Sequence, residues 1–238
     1  MASSPLLLVQ TGTPPDDVLH PHGDFPSWFS RVTGDSFETE IVRVFEGEPL
    51  PPPDANRIAI ITGSWAMVTD RLPWSETTAQ WIRDAMAVNM PLFGVCYGHQ
   101  LMAHALGGRV DYHPRGREVG CQTIRLLPDA ADDGLLSHFP SSFTAHLMHE
   151  QSIIDLPPGA QALASSDHDA YQIVRYGPNA LSVQFHPEFT PAITETCIRR
   201  RHDVLLEEGL QPDELVRDLH DTPDARALLS QFVSLEHV

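Results

Sequence analysis

Met90-Pro91-Leu92-Phe93-Gly94-Val95-Cys96-Tyr97-Gly98-His99-Gln100, continued by Leu101-Met102-Ala103-His104-Ala105-Leu106-Gly107-Gly108, is the stretch on which the reading of the whole chain turns. The apolar run from Pro91 to Val95 predicts a buried strand, and Leu101, Ala105 and Leu106 recur at helical spacing before the Gly107-Gly108 stop. Cys96 therefore falls on a sharp strand-to-helix junction. Glycines two residues before and two after it suit a tight turn that presents the side chain at its tip. Unpaired N–H groups at the start of the helix favour an anion there, which would make the cysteine a usable nucleophile. A free cysteine can equally be a small buried hydrophobe, so a second set of residues has to decide.

That set is Leu181-Ser182-Val183-Gln184-Phe185-His186-Pro187-Glu188. Leu181, Val183 and Phe185 alternate with Ser182, Gln184 and His186, the period of a strand with one apolar face. Pro187 donates no hydrogen bond to a ladder, so the strand is expected to end there and release His186 and Glu188 together. A base and an orienting carboxylate two residues apart complete a Cys96-His186-Glu188 triad: imidazole to handle the thiol proton, carboxylate to set its tautomer and charge.

Gly94-Val95-Cys96-Tyr97-Gly98-His99-Gln100 taken with Gln184-Phe185-His186-Pro187-Glu188 resembles the paired signature of the class I, triad-type glutamine amidotransferases, the glutaminase unit of GMP synthetase and anthranilate synthase. The likeness runs from Leu6 to about Pro191. It implies a flavodoxin-like sheet and cleavage of the side-chain amide of glutamine to glutamate and ammonia through a glutamyl thioester, with no metal or organic cofactor. It also implies oxyanion donors, which fall on the backbone amides of Ser64 and Tyr97. The turn before the first of these is Thr62-Gly63-Ser64-Trp65 where the family often has Gly-Gly-Pro, so Gly63 is carried over as a substrate neighbour while the orientation of the Ser64 amide is open. Gln100 stands where the family has a glutamine that contacts substrate. His149-Glu150-Gln151-Ser152-Ile153 resembles the family's His-x-Asp-x-Val region, with Gln151 in place of the acid; His149 and Gln151 are candidate substrate contacts, with a plain loop as the alternative.

Outward from these motifs, Leu6 to Gln10 and Arg57 to Thr62 are continuous apolar strands of the kind found in a parallel sheet covered on both faces, and Glu40 to Val44 reads as another strand. Trp74 to Val88 is an amphipathic helix, and Ser27 to Val32 a shorter one. Alternating strands and helices predict a doubly wound, mainly parallel α/β sheet, whose ligands bind beyond the carboxyl ends of its strands. After Gly108 the pattern changes to short strands at 109–113, 120–127, 143–148, 160–164 and 170–176, an antiparallel addition ending on the His186 strand. Helices at 192–208, 212–220 and from 222 onward form a C-terminal tail. With no long polar linker, residues 1–238 read as one domain with a core of about 6–191 and a tail of about 192–238.

The formal net charge is −17 and the pI near 5.0, which argues against nucleic acid and anionic membranes as partners. All 15 basic residues are arginine; without lysine there is no Walker A loop and no Schiff-base mechanism. Arg199-Arg200-Arg201 is the one cationic run and reads as a solvated helical turn. Leu6 to Val9 is too short for a secretory core, and Cys96, Cys121 and Cys197 make no disulfide framework, so a cytoplasmic location is expected, with Cys121 and Cys197 as packing residues. The 13 histidines follow no metal-ligand spacing, so no metal site is expected. A chain of this length leaves no room for a synthase. The small-molecule substrate is then glutamine, with a separate protein taking up the ammonia, or another γ-glutamyl compound handled by a free-standing hydrolase. A non-catalytic regulatory protein on the same scaffold is the remaining alternative.

Overall fold

In the computed structural model, which describes residues 6–34 and 37–235, nine strands form one mixed sheet. Four of its parallel strands, β1 (Leu6–Gln10), β3 (Ile58–Ile61), β4 (Leu92–Val95) and β11 (Ala180–Val183), are buried at every position. With β2 (Thr39–Arg43) on the outside, the parallel order is β2-β1-β3-β4-β11. Unbroken burial is what their apolar runs foretell, and alternate residues supply the two faces. Leu6, Leu8, Ile58, Ile60, Phe93 and Val95 pack on one side. Leu7, Val9, Ala59, Ile61 and Leu92 pack on the other.

Helices cover both faces. α3 (Pro73–Ala87) and α4 (Tyr97–Ala105) lie over the second face. The first face carries α1 (Asp16–His22), α2 (Phe25–Thr33), α5 (Pro191–Arg200) and α8 (Pro223–Leu235). The C-terminal helix is thus part of the core cover and no appendage: Phe232 meets Phe93 with ring centroids 5.1 Å apart. α6 (His202–Glu207) and α7 (Pro212–Arg217) pack as a satellite with Val119 and Ile198.

The antiparallel extension continues the sheet as β11-β10-β9-β6-β7, with β6 at Glu118–Leu126, β7 at Ser142–His149, β9 at Gln161–Ser165 and β10 at Ile173–Gly177. β5 (Arg109–Tyr112) leaves that sheet and pairs with β8 (Gln151–Asp155) in a two-stranded ribbon. Two expectations change here. Gln151 to Ile153 belong to a strand and not to a loop. The helix expected over 192–208 is broken at Arg201, whose N–H bonds back to Ile198 at 3.0 Å, a tightened final turn that lets Leu205 reach the Val119–Ile198 cluster. The expectation of one domain also reaches residues 1–5 and 236–238, which lie outside the described residues. No helix among the described residues is long and apolar enough to cross a membrane.

Candidate active site

Because β1, β3, β4 and β11 are parallel neighbours in register, Val9 opposite Ile61, Ile61 opposite Gly94 and Val95 opposite Val183, their carboxyl ends emerge side by side. Thr11, Gly63-Ser64, Cys96 and the segment leading to His186 follow directly from those four ends. Residues encoded far apart are gathered along one rim by this register.

Cys96 is the N-cap of α4 and takes φ 50° and ψ −98°, a region that a non-glycine residue adopts only where its surroundings impose it. The flanking glycines spare the turn Cβ clashes, as the sequence reading expects. The strain sits on Cys96 itself, and Gly94 and Gly98 supply room. A Cβ on Gly94 would lie 2.7 Å from both the Gly98 carbonyl oxygen and the Met102 sulfur. One on Gly98 would run into the Ile61 carbonyl. The Gly98 N–H instead donates to the Thr62 oxygen at 3.1 Å, closing the elbow against β3.

The strand expected to run to Pro187 ends at Val183, yet the alternation continues to His186, with both faces buried. Phe185 points into the core, while Ser182 meets His99 Nδ1 at 2.6 Å and the Gln184 Oε1 accepts from Gln100 at 2.9 Å. His186 follows, and its backbone N–H donates to His146 at 2.9 Å. Its Nδ1 bonds Glu188 Oε1 at 2.7 Å, and Phe189 stacks on the ring at a centroid distance of 3.9 Å, a neighbour that the sequence reading missed. Cys96, His186 and Glu188 are 6%, 4% and 2% exposed. A Cβ placed on Gly63 would lie 3.0 Å from His186 Cε1 and 3.7 Å from Cys96 Cβ, so thiol and imidazole converge on one bare backbone position. Burial opposes charge on His186, but Glu188 and the Cys96 sulfur outweigh it and push its pKa up to about 10.

The Gly63 carbonyl accepts from Thr11 Oγ1 at 2.8 Å and from Thr62 Oγ1 at 2.9 Å. In a trans peptide the C=O and the following N–H point in opposite directions, so pinning that oxygen turns the Ser64 N–H away from the two threonines. Ser64 lines the pocket over Cys96, its hydroxyl anchored on the Thr11 carbonyl at 2.7 Å. Neither the Ser64 N–H nor the Tyr97 N–H has an acceptor among the described residues. The threonines were not singled out from sequence; only the proximity of β1 to β3 gives them a role.

The other expected contacts line the same pocket. Gln100 Nε2 is spent on the Gln151 carbonyl at 2.6 Å and on Gln184, which leaves its Oε1 for the pocket. His149 donates from both ring nitrogens, Nδ1 to the Gln151 carbonyl at 3.0 Å and Nε2 to Glu118 at 2.9 Å. Both partners are acceptors, which fits an imidazolium; burial works against that charge, while the Glu118 bond and charge raise the pKa. Gln151 sends its side chain to Thr69 Oγ1 at 2.6 Å. Asp24 caps α2 through the Phe25 N–H and binds Gln10, while Phe25 itself reaches the pocket wall. Also on the wall are Arg117, Glu150 and Arg201, none of them singled out from sequence as a site residue. Burial pushes the Cys197 thiol up to about 12, in keeping with a packing role; Cys121 is half-buried and its sulfur meets His220 at 3.6 Å. Among the described residues no group of three or more His, Cys, Asp or Glu side chains is placed to hold a metal ion.

Compared with known proteins, the profile of the family "Glutamine amidotransferase class-I" matches residues 53–202, which spans both the elbow and the His-Pro-Glu segment. The chain belongs to the class I glutamine amidotransferase family. Among members, a glutamine amidotransferase-like protein of Schizosaccharomyces pombe is 30% identical over 149 residues, 62% of this chain and 58% of that protein, so this chain spans less than two thirds of it. Gamma-glutamyl peptidase 5 of Arabidopsis thaliana is 27% identical over 182 residues, 75% of this chain and 72% of the relative. In fold, the crystal structure of a glutamine amidotransferase from Thermotoga maritima superimposes with a TM-score of 0.78 at 19% identity, covering 99% of both chains. The class I amidotransferase fold, parallel core and antiparallel extension together, is therefore the architecture expected from the sequence.

Proposed function

We propose that the protein is a thiol hydrolase that cleaves the side-chain amide of glutamine, or of another γ-glutamyl compound, with Cys96, His186 and Glu188 as its catalytic groups. The observation that carries the proposal is a strained, buried Cys96 beside an imidazole held at 2.7 Å by its own buried carboxylate. The sulfur attacks the amide carbon and a C–S bond forms. The displaced charge on oxygen is received by the Ser64 and Tyr97 N–H groups. His186, kept protonated by Glu188 and the nearby sulfur, gives its proton to the leaving nitrogen as the C–N bond breaks. Water then gives a proton to the same ring while its oxygen attacks the thioester, and the acid leaves as the thiolate is restored.

Similarity to a γ-glutamyl peptidase over three quarters of this chain supports the wider substrate class beside glutamine. If glutamine is the substrate, the ammonia would pass to a separate synthase. The test is release of glutamate from glutamine and from γ-glutamyl peptides by wild type and Cys96→Ala. Release by the wild type that vanishes in the variant is the expected result. Equal rates, or no release by either from any of these substrates, would favour a non-catalytic scaffold.

A further inference from the structure

The run Arg199-Arg200-Arg201 does not stay together in the fold. Arg199 pairs with Glu195 at 2.8 Å and Arg200 with Asp17 at 2.6 Å, both on the surface. Arg201 sits at the break between α5 and α6 and turns inward to line the pocket that holds Cys96. A second guanidinium on that wall, Arg117, has a side chain only 6% exposed and is paired with Glu150 at 3.0 Å and with Glu208 at 3.1 Å. Arg201 makes no ion pair and no side-chain hydrogen bond among the described residues. The chain has 32 acidic residues to 15 arginines, so a pocket-facing guanidinium with no ion pair stands out. Charge withdrawn from water without a partner is unfavourable, and a ligand acid would offset that cost.

We propose that Arg201 is the carboxylate receptor of this pocket, taking a carboxylate of the substrate. The inference rests on the γ-glutamyl hydrolase reading above and adds to it a requirement on the substrate. Two carboxylates could fill the role: the α-carboxylate of the glutamyl unit, or that of an amino-acid leaving group, as in a γ-glutamyl peptide. Both offer the planar pair of oxygens that a guanidinium fork matches. Burial and the neighbouring Arg117 charge hold the Arg201 pKa below its ordinary value, against a weaker opposing pull from Cys197 and Glu150, and a bound anion would add to that pull.

Binding separates this inference from the reaction. Glutamine, γ-glutamylglycine and γ-glutamylmethylamide are titrated calorimetrically into Cys96→Ala, and into the same protein carrying Arg201→Gln, Arg201→Met or Arg201→Lys, with circular dichroism confirming the fold of each. Loss of a charge-assisted pair is expected to weaken affinity about tenfold or more in the Gln and Met variants, with part of it kept by Lys. Weakening for all three ligands assigns the α-carboxylate; weakening for γ-glutamylglycine alone assigns the leaving-group carboxylate. Unchanged affinity in folded Gln or Met variants overturns the role of Arg201 and leaves the hydrolase reading standing. Failure of Cys96→Ala to bind any of the three overturns the substrate class itself, and this inference with it.

Discussion

Replacing Thr11 and Thr62 by valine tests whether the proposed oxyanion site is built from behind. Each hydroxyl donates to the Gly63 carbonyl, at 2.8 and 2.9 Å, and valine keeps the shape while removing the donor. A buried neutral hydrogen bond contributes about 1 kcal/mol, and a buried carbonyl left with no donor at all costs about 1–3 kcal/mol more. Thr11→Val alone leaves Gly63 satisfied by Thr62, so its effect on turnover should stay below about fivefold, at about 1.4 kcal/mol per tenfold. The double variant strands the carbonyl. Some 3–5 kcal/mol then acts against the pinned orientation, by adding the ~1 kcal/mol bonds and the ~1–3 kcal/mol penalty. The peptide turns, the Ser64 N–H leaves the site, and the loss should approach the ~10²–10³ in kcat seen when one oxyanion-hole donor is removed. The assay is kcat for glutamate release, run beside alkylation of Cys96 by iodoacetamide, which develops no oxyanion. A superadditive fall in kcat with alkylation unchanged is expected. A folded double variant that turns over like wild type would refute the reasoning, and so would a proportional fall in alkylation, which would mean that the site had simply come apart. Thr62→Val also deprives the Thr11 N–H of its acceptor at 3.1 Å, so the urea midpoint of each variant accompanies the kinetics.

Two further predictions concern His186. Gly63→Ala puts a methyl group 3.0 Å from Cε1 of a ring that Phe189 stacks against, so the ring must give way slightly and kcat should fall, by less than the ~10²-fold that a ~1 Å misplacement costs, with the urea midpoint showing whether the fold is kept. The His186 pKa, raised above its ordinary 6.5 to about 10, means that the stability contributed by the charged ring is complete below about pH 6.5 and is lost as pH climbs through about 10. Glu188→Gln removes the carboxylate that holds the charge, so this decline in unfolding free energy should shrink and move to lower pH; urea titrations at pH 6, 8 and 10 that superimpose with wild type would count against the pairing.

What the sequence determined by itself was whatever the backbone writes locally. Apolar runs at Leu6–Val9, Ile58–Ile61 and Leu92–Val95 can be stable only when buried on both faces, and that requirement, with the helices between them, already specifies a doubly wound parallel sheet. The residues proposed as a triad were legible for a similar reason: Cys96 lies between a strand and a helix, and His186 and Glu188 share one short segment, so each carries its own local signal. The break at Arg201 and the strand at Gln151–Asp155 were not legible, because packing on Leu205 and pairing with β5 override local propensity.

The rest of the site depends on neighbours distant in sequence. Thr11 is an ordinary turn residue until β1 lies beside β3 and its hydroxyl meets the Gly63 carbonyl. Arg117 and Arg201 look alike as letters, yet one is neutralised by two glutamates and the other faces the pocket with no ion pair among the described residues. Charge compensation is a property of distances between chain segments, which composition and periodicity do not contain. The sequence named the candidate reactive residues, and the tertiary structure decided what surrounds them, because orientation and electrostatic partnership exist only once the strands are in register.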